Sequence, residues 1–221
     1  MNGRGLVIFG TGLMAEVASF YFQHDSAWQV GAFVVDDEYV TSGQFAGHPV
    51  VPTTSATAEF PPDAFDAFVA VGYSRRNTVR REKFEMMKHK GYRMATYLSS
   101  RSTIWMPKRI GENCFILEDN TVQPFVTVGD NCVLWSGNHI GHHSSIGAHT
   151  FVASHAVISG SVKIGEQCFV GVNATLRDSI TVGDRCIIGA GALVMADCEP
   201  DGLYVGTPTV RSAVPSGRVR L

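Results

Sequence analysis

The sequence predicts two architectures in one chain. An α/β N-terminal Rossmann-like domain spans residues 1–97, an all-β left-handed parallel β-helix (hexapeptide repeat) spans 98–198, and a cap and tail follow at 199–221. Three observations predict this. An aliphatic residue recurs at every sixth position from Leu98 to Val194 without a gap, the cysteines share one phase of that repeat, and a strand, a glycine turn and a helix open the chain.

The N-terminal elements follow from local pattern. Leu6-Val7-Ile8-Phe9 is a continuous apolar run of the kind a buried parallel strand needs, and Gly10-Thr11-Gly12-Leu13-Met14-Ala15 opens an amphipathic helix that runs to about His24. A second strand ends at Val34-Val35-Asp36-Asp37, which completes a βαβ beginning. A strand at 65–72, a helix at 75–90 with Gly91 as its C-cap, and a strand at 94–98 lead into the repeat.

Gly10, Thr11 and Gly12 at a helix N-terminus are candidates to cradle phosphates, with Asp36 or Asp37 on the ribose or base. A nicotinamide site needs a longer doubly wound domain than these residues allow, whereas a nucleotide diphosphate needs less. The alternative is that the glycines only shape a tight turn and the aspartates only end a strand.

A period of six belongs to neither an α-helix nor an ordinary strand. In a hexapeptide solenoid three such steps close a triangular coil, each short strand pairs with those above and below, and the aliphatic residue points inward. Cys114, Cys132, Cys168, Cys186 and Cys198 each lie four residues after an aliphatic position. The first four, spaced by 18 or 36, are expected to stack along one wall with Thr150 as the missing rung, and all five to act as small core hydrophobes; no metal or disulfide is expected. Asn120 and Asn138 share one interior slot and are expected to satisfy each other as an amide ladder.

Of the chain's 8 histidines, His139, His142, His143, His149 and His155 fall close together in the solenoid. His142 and His143 follow the inward Ile140 by two and three positions, near a corner, where a neutral imidazole can take a proton from an attacking amine or hydroxyl. None of these histidines repeats at the coil spacing that stacked zinc ligands would show.

Composition narrows the partners. With 45% hydrophobic and 17% charged residues and a net charge of -2, the chain lacks the polybasic signature of nucleic-acid or anionic-membrane binding. No run reaches the ~20 apolar residues of a membrane span, and Met1 to Gly5 lead directly into the first strand, so a cytoplasmic protein is expected.

Gly10-Thr11-Gly12, Val35-Asp36-Asp37, the stretch Ile140-Gly141-His142-His143-Ser144-Ser145-Ile146-Gly147, Ser159-Gly160, Lys163-Ile164-Gly165, the run from Val170 to Asn173 and the run from Tyr204 to Pro208 carry a resemblance. Together they resemble the sialic-acid O-acetyltransferase and bacillosamine N-acetyltransferase family over nearly the whole chain. The resemblance implies a homotrimer with active sites between subunits, a sugar nucleotide on the N-terminal domain, and acetyl-CoA in the cleft between adjacent β-helices. It also implies His142 as general base, Gly160 with its N–H toward the thioester carbonyl, and Ala190 where acetyl-CoA meets a later coil.

The implied reaction is direct attack on the thioester by the amino group of a nucleotide-linked amino-deoxy-sugar, without a covalent enzyme intermediate. Three departures stand out. His143 replaces the family's Asp or Glu and becomes a second candidate catalytic residue; Phe151 stands where some members have a second histidine; Trp135 stands where some have Asn, which implies altered sugar contacts. The alternatives are O-acetylation of sialic acid or another sugar, and a non-catalytic trimeric binding module, for which the missing acid argues. Arg211, Arg218 and Arg220 read as solvated tail residues.

Overall fold

The computed structural model describes residues 4–107, 109–208, 211, 213 and 218. The N-terminal domain is a five-stranded sheet with the order β3-β4-β2-β1-β5, formed by β1 (Gly5–Phe9), β2 (Gln29–Val35), β3 (Gln44–Phe45), β4 (His48–Pro52) and β5 (Phe65–Val69). All pairs are parallel except the β3–β4 hairpin. The apolar runs of β1 and β5 are buried, as strands covered on both faces require. α1 (Leu13–His24) buries Ala15, Ala18, Ser19 and Phe22 along one stripe, while a short α2 (Ala56–Glu59) and α3 (Thr78–His89) complete the domain.

Two boundaries differ from the sequence expectation. Arg75, Arg76 and Asn77 all have positive φ (50°, 54° and 64°), so α3 starts at Thr78 instead of Arg75. The buried Asn77 amide donates to the carbonyl of Cys168 at 2.9 Å, which helps hold this left-handed turn against the solenoid. The strand expected at 94–98 is divided between two sheets: Met94 bridges Ala67, whereas Tyr97–Leu98 pairs with Phe115–Ile116.

From Tyr97 onward, two-residue strands form three parallel sheets of seven, six and five strands, here called faces 1, 2 and 3. Face 1 contains Phe151–Val152, face 2 contains His139–Ile140 and Val157–Ile158, and face 3 contains Ser145–Ile146. Partners such as Thr121 and His139, or Val133 and Phe151, sit one coil of three hexads apart, so this is the expected β-helix. The second residue of each strand points inward. Ile116, Val122, Leu134, Ile140, Val152, Ile158, Val170 and Leu176 are fully buried in one core, and each such side chain contributes roughly 1.5–3 kcal/mol of burial.

From Asn113 to Gly191 every corner turns on one residue in the left-handed region. Asn113, Asp119, Phe125, Asn131, Gly137, His143, His149, His155, Ser161, Gln167, Asn173, Ser179, Arg185 and Gly191 all have positive φ, one per hexad. Glycine and short polar side chains tolerate this conformation best, which accounts for the Asn, Asp, Ser and Gly at these positions.

Cys114, Cys132, Cys168 and Cys186 are buried and unpaired by disulfide, with buried Thr150 as the intervening rung. Thr150 Oγ1 donates to the Gly165 carbonyl at 3.1 Å and accepts from the Cys168 N–H at 3.1 Å. The expected Asn120–Asn138 ladder does not form. Asn120 Nδ2 donates to the carbonyls of Leu117 and Trp135, Asn138 Nδ2 also donates to Trp135, and Asn138 Oδ1 accepts from the Ala156 N–H. Corner carbonyls take up these amides. The amide ladder lies elsewhere: Asn113 Nδ2 donates to Asn131 Oδ1 at 2.8 Å, and Asn131 Nδ2 meets His149 Nδ1 at 2.9 Å.

The hexad phase breaks near Cys198 because the last coil is shortened by two residues. Val182 bridges Cys198 and Ile187–Ile188 pairs with Leu203–Tyr204, each 16 residues apart. Arg211 and Arg218 are exposed; Arg220 lies outside the described residues.

The N-terminal domain covers face 1. Its outward residues Tyr97, Phe115, Val133 and Phe151 are buried, with Tyr21 of α1 at 5.4 Å from Tyr97 and 5.9 Å from Phe115, ring centre to ring centre. Fully buried Arg80 of α3 pins the corner between faces 3 and 1 by donating to the carbonyls of Asn131, His149, Thr150 and Gly72 and to Asn77 Oδ1. Burial pushes its guanidinium down to about 10, and the five acceptors offset the desolvation of the charge. The corner between faces 2 and 3 is the vertex opposite this covered face. Among the described residues no helix is long and apolar enough to cross a membrane.

Candidate functional site

Corner geometry separates the clustered histidines. His143, His149 and His155 all occupy left-handed corner positions, so part of the cluster is explained by backbone conformation. His149 is buried under α3 and burial pushes it down to about 4, aided by Arg81 and Arg80. His155 lies over Gly137, where a Cβ would come within 2.4 Å of its ring. His139 is an outward residue of face 2. Among the described residues no three His, Cys, Asp or Glu side chains converge on a metal-sized site.

His142 differs from these. It is exposed on the corner between faces 2 and 3 and its N–H donates to Gln123 Oε1 at 2.8 Å, which ties it to the preceding coil. Its ring lies across Gly160 of the following coil: a Cβ there would sit 2.7 Å from Cε1 and 2.8 Å from Nε2. Only glycine leaves room for the imidazole. His142 Nδ1 is 3.1 Å from His143 Nδ1, and the His143 ring packs on Phe125 at 4.7 Å between ring centres. Neither His142 Nε2 nor the Gly160 N–H has a hydrogen-bond partner among the described residues. The Nε2 edge of the His142 ring and a backbone N–H, neither bonded within the protein, therefore meet at this corner.

The other predicted residues lie apart from this corner. Ala190 is exposed on the corner between faces 1 and 2, in the same column as Ser154 and Val172. Trp135, Phe151, Ser154 and Val172 wall a cavity of about 390 Å³ whose opposite side is formed by Leu13, Met14 and Val17 of α1 and by Gly72 and Tyr73. Trp135 and Phe151 are stacked at 6.1 Å, Phe151 and Phe169 at 5.8 Å, and Tyr73 meets both phenylalanines at 5.1 and 4.8 Å. The cavity is thus an aromatic shelf between the two domains.

Gly10 has φ +117°, and a Cβ there would press to 3.1 Å from the Ala70 carbonyl oxygen. Gly12 is the N-cap of α1 with no side-chain cap, and the N–H groups of Leu13 and Met14 have no hydrogen-bond partner among the described residues. Thr11 lines a second, smaller cavity of about 110 Å³ with Tyr39, Ser42, Gln44 and Val50. The two cavities therefore flank the α1 N-terminus.

Both aspartates have protein partners. Asp37 accepts from Thr54 Oγ1 at 2.8 Å and Thr53 Oγ1 at 3.0 Å, and the Thr54 bond leads the pull of its carboxyl below the ordinary range. Asp36 pairs with Lys83 of α3 at 2.7 Å.

Sequence reasoning missed Tyr73, and it missed Glu118, which lines a groove of about 310 Å³ adjoining Trp135 and Val17. Burial pulls the Glu118 carboxyl up, but bonds from Tyr21 and Ser136 hold it below the usual range. Glu118, Ser136, Ser154, Val172 and Ala190 form one column at the coil spacing, the signal that could have found it.

Three family models match successive parts of the chain. The PglD N-terminal domain family matches residues 5–87, the bacterial transferase hexapeptide (six repeats) matches 107–142, and the hexapeptide repeat of succinyl-transferase matches 161–196. The chain therefore matches a PglD-type N-terminal domain followed by two stretches of bacterial transferase hexapeptide repeats.

Solved structures resemble the chain along its length. The acetyltransferase domain of PglB from Neisseria gonorrhoeae FA1090 is 25% identical, with a TM-score of 0.77 over 93% of this chain and 98% of that one. A variant of perosamine N-acetyltransferase from Caulobacter crescentus, in complex with CoA and GDP-perosamine, is 24% identical with a TM-score of 0.83 over 92% and 94%. WeeI from Acinetobacter baumannii AYE is 19% identical with a TM-score of 0.78 over 92% and 97%. No protein of curated function matches the chain in sequence.

Proposed function

We propose that this chain transfers an acetyl group from acetyl-CoA to the amino group of a nucleotide-linked amino-deoxy-sugar, with His142 as the general base. The observation that carries the reading is His142 lying across Gly160, with a free Nε2 beside a free backbone N–H. In the reaction the amine nitrogen bonds to the thioester carbonyl carbon and its proton passes to Nε2. The Gly160 N–H donates to the developing oxyanion, and the C–S bond breaks with its electron pair on sulfur, which takes up a proton.

The nucleotide would bridge the two cavities that flank α1, with its diphosphate on the bare N-terminus at Gly10, Thr11 and Gly12 and its sugar against Trp135 and Phe151. Such a pose needs no free carboxylate from Asp36 or Asp37. The shelf and His142 stand on different corners of one solenoid, so the base meets the sugar only if a second copy supplies it. A homotrimer with sites between subunits meets that need, and Ala190 then flanks the acetyl-CoA cleft from the neighbouring chain. GDP-perosamine, a nucleotide amino sugar, is the ligand of the Caulobacter relative.

The test is thiol release from acetyl-CoA across a panel of UDP-, dTDP- and GDP-linked amino sugars, with hydroxyl analogues and free sialic acid alongside. Turnover with a nucleotide-linked amino sugar supports the reading. Turnover only with hydroxyl acceptors would move it to O-acetylation, and none at all would favour a trimeric binding module.

A further inference from the structure

We infer that His143 is a positioning residue for His142, and that the two work as a carboxylate-free imidazole pair in which His142 Nδ1–H donates to His143 Nδ1 while His142 Nε2 takes the substrate proton. The inference rests on the reading of His142 as base and adds what orients it.

At 3.1 Å between the two Nδ1 atoms, one must donate and the other accept. Were His143 the donor, neutral His142 would carry its hydrogen on Nε2, the nitrogen over Gly160, and would have no lone pair there. Donation by His142 leaves Nε2 free where the Gly160 N–H is also free. His143 is itself fixed: its backbone is left-handed with φ 61°, its N–H donates to the Pro124 carbonyl at 3.2 Å, and its ring rests on Phe125.

The neighbouring coils present Gln123, Pro124 and Phe125 on one side and Ser159, Gly160 and Ser161 on the other. None of these side chains titrates in the working range. No carboxylate approaches within 4.0 Å of either imidazole among the described residues. His143 thus fills the orienting role that a carboxylate plays in a Ser-His-Asp triad, without an anion to stabilise the imidazolium. When His142 takes the amine proton at Nε2, the pair becomes a cation that persists until the thiolate reclaims the proton. A proton gained earlier from solvent disables the pair, because the Nε2 lone pair or the orienting bond is lost.

The experiment compares His143→Phe and His143→Glu with wild type and His142→Ala in acetyl transfer over pH 5–9. Phe is compatible with the corner, since Phe125 has φ 68° at the equivalent place one coil earlier. His143→Phe is expected to lower kcat by about 10- to 100-fold with both KM values within about twofold. His143→Glu is expected to keep kcat within about threefold and to move the acid limb of kcat/KM up by about one pH unit, because an adjacent anion favours the charged imidazole. Wild-type kcat in His143→Phe, an unmoved limb in His143→Glu, or losses that track raised KM and lowered Tm would overturn the inference. An inactive His142→Ala beside a fully active His143→Phe would remove only this step; an active His142→Ala would remove the base reading with it.

Discussion

Replacing Gly160 with alanine adds one methyl group at the point where the solenoid leaves room for His142. The new Cβ would lie 2.7 Å from Cε1, 2.8 Å from Nε2 and 3.2 Å from Nδ1 of His142, whereas carbon atoms pack best at about 3.5–4.0 Å. The imidazole must therefore retreat by about 1 Å, a misplacement able to cost about 100-fold in rate. Stability should hardly change, within about 0.5 kcal/mol, because His142 is exposed and free to swing outward. Alanine keeps the backbone N–H, so the substitution separates the seat of the base from the oxyanion donor. The assay is kcat for acetyl transfer by thiol release, with Tm as the fold control, repeated in a His142→Ala background where the second change should add almost nothing. A Gly160→Ala enzyme with wild-type kcat, or an equal further loss on top of His142→Ala, would refute the stacking argument.

Two more outcomes follow from the same geometry. Trp135→Ala removes an aromatic wall of the cavity between the domains and should raise the KM for the sugar nucleotide about tenfold while leaving that for acetyl-CoA unchanged; equal changes in both would place the sugar elsewhere. His149, pushed from 6.5 down to about 4 by burial, binds its proton more tightly in the unfolded chain, so stability present at pH 7 is lost as pH falls from 6.5 to 4 by about 3 kcal/mol. His149→Asn, which suits a column already holding Asn113 and Asn131, should lack that component in urea unfolding at the two pH values; an identical decline would show that His149 does not drive it.

The solenoid was legible because its constraint is periodic. An inward aliphatic residue every sixth position leaves a mark that no other architecture shares, and the Cys114–Cys132–Thr150–Cys168–Cys186 wall followed from the same phase. The Asn120–Asn138 ladder failed because shared phase does not say whether an amide meets its copy or a nearer carbonyl. β3, β4 and α2 escaped notice as short elements whose pairing is set by β2.

At the site, His142 and Gly160 were readable through the resemblance and the coil spacing joins them. The partners of Asp36 and Asp37 were not, because Lys83, Thr53 and Thr54 arrive from other elements. Arg80 left no trace either: a helix-face arginine looks solvated until the solenoid corner closes over it.

The central claim is that His142 is the base for acyl transfer, and single-turnover acetyl transfer by wild type and His142→Ala, with saturating acetyl-CoA and the best acceptor of the panel, tests it most directly. The account predicts a fall of at least about 100-fold in the chemical step with acetyl-CoA binding unchanged. A His142→Ala enzyme that transfers acetyl at the wild-type rate would contradict it.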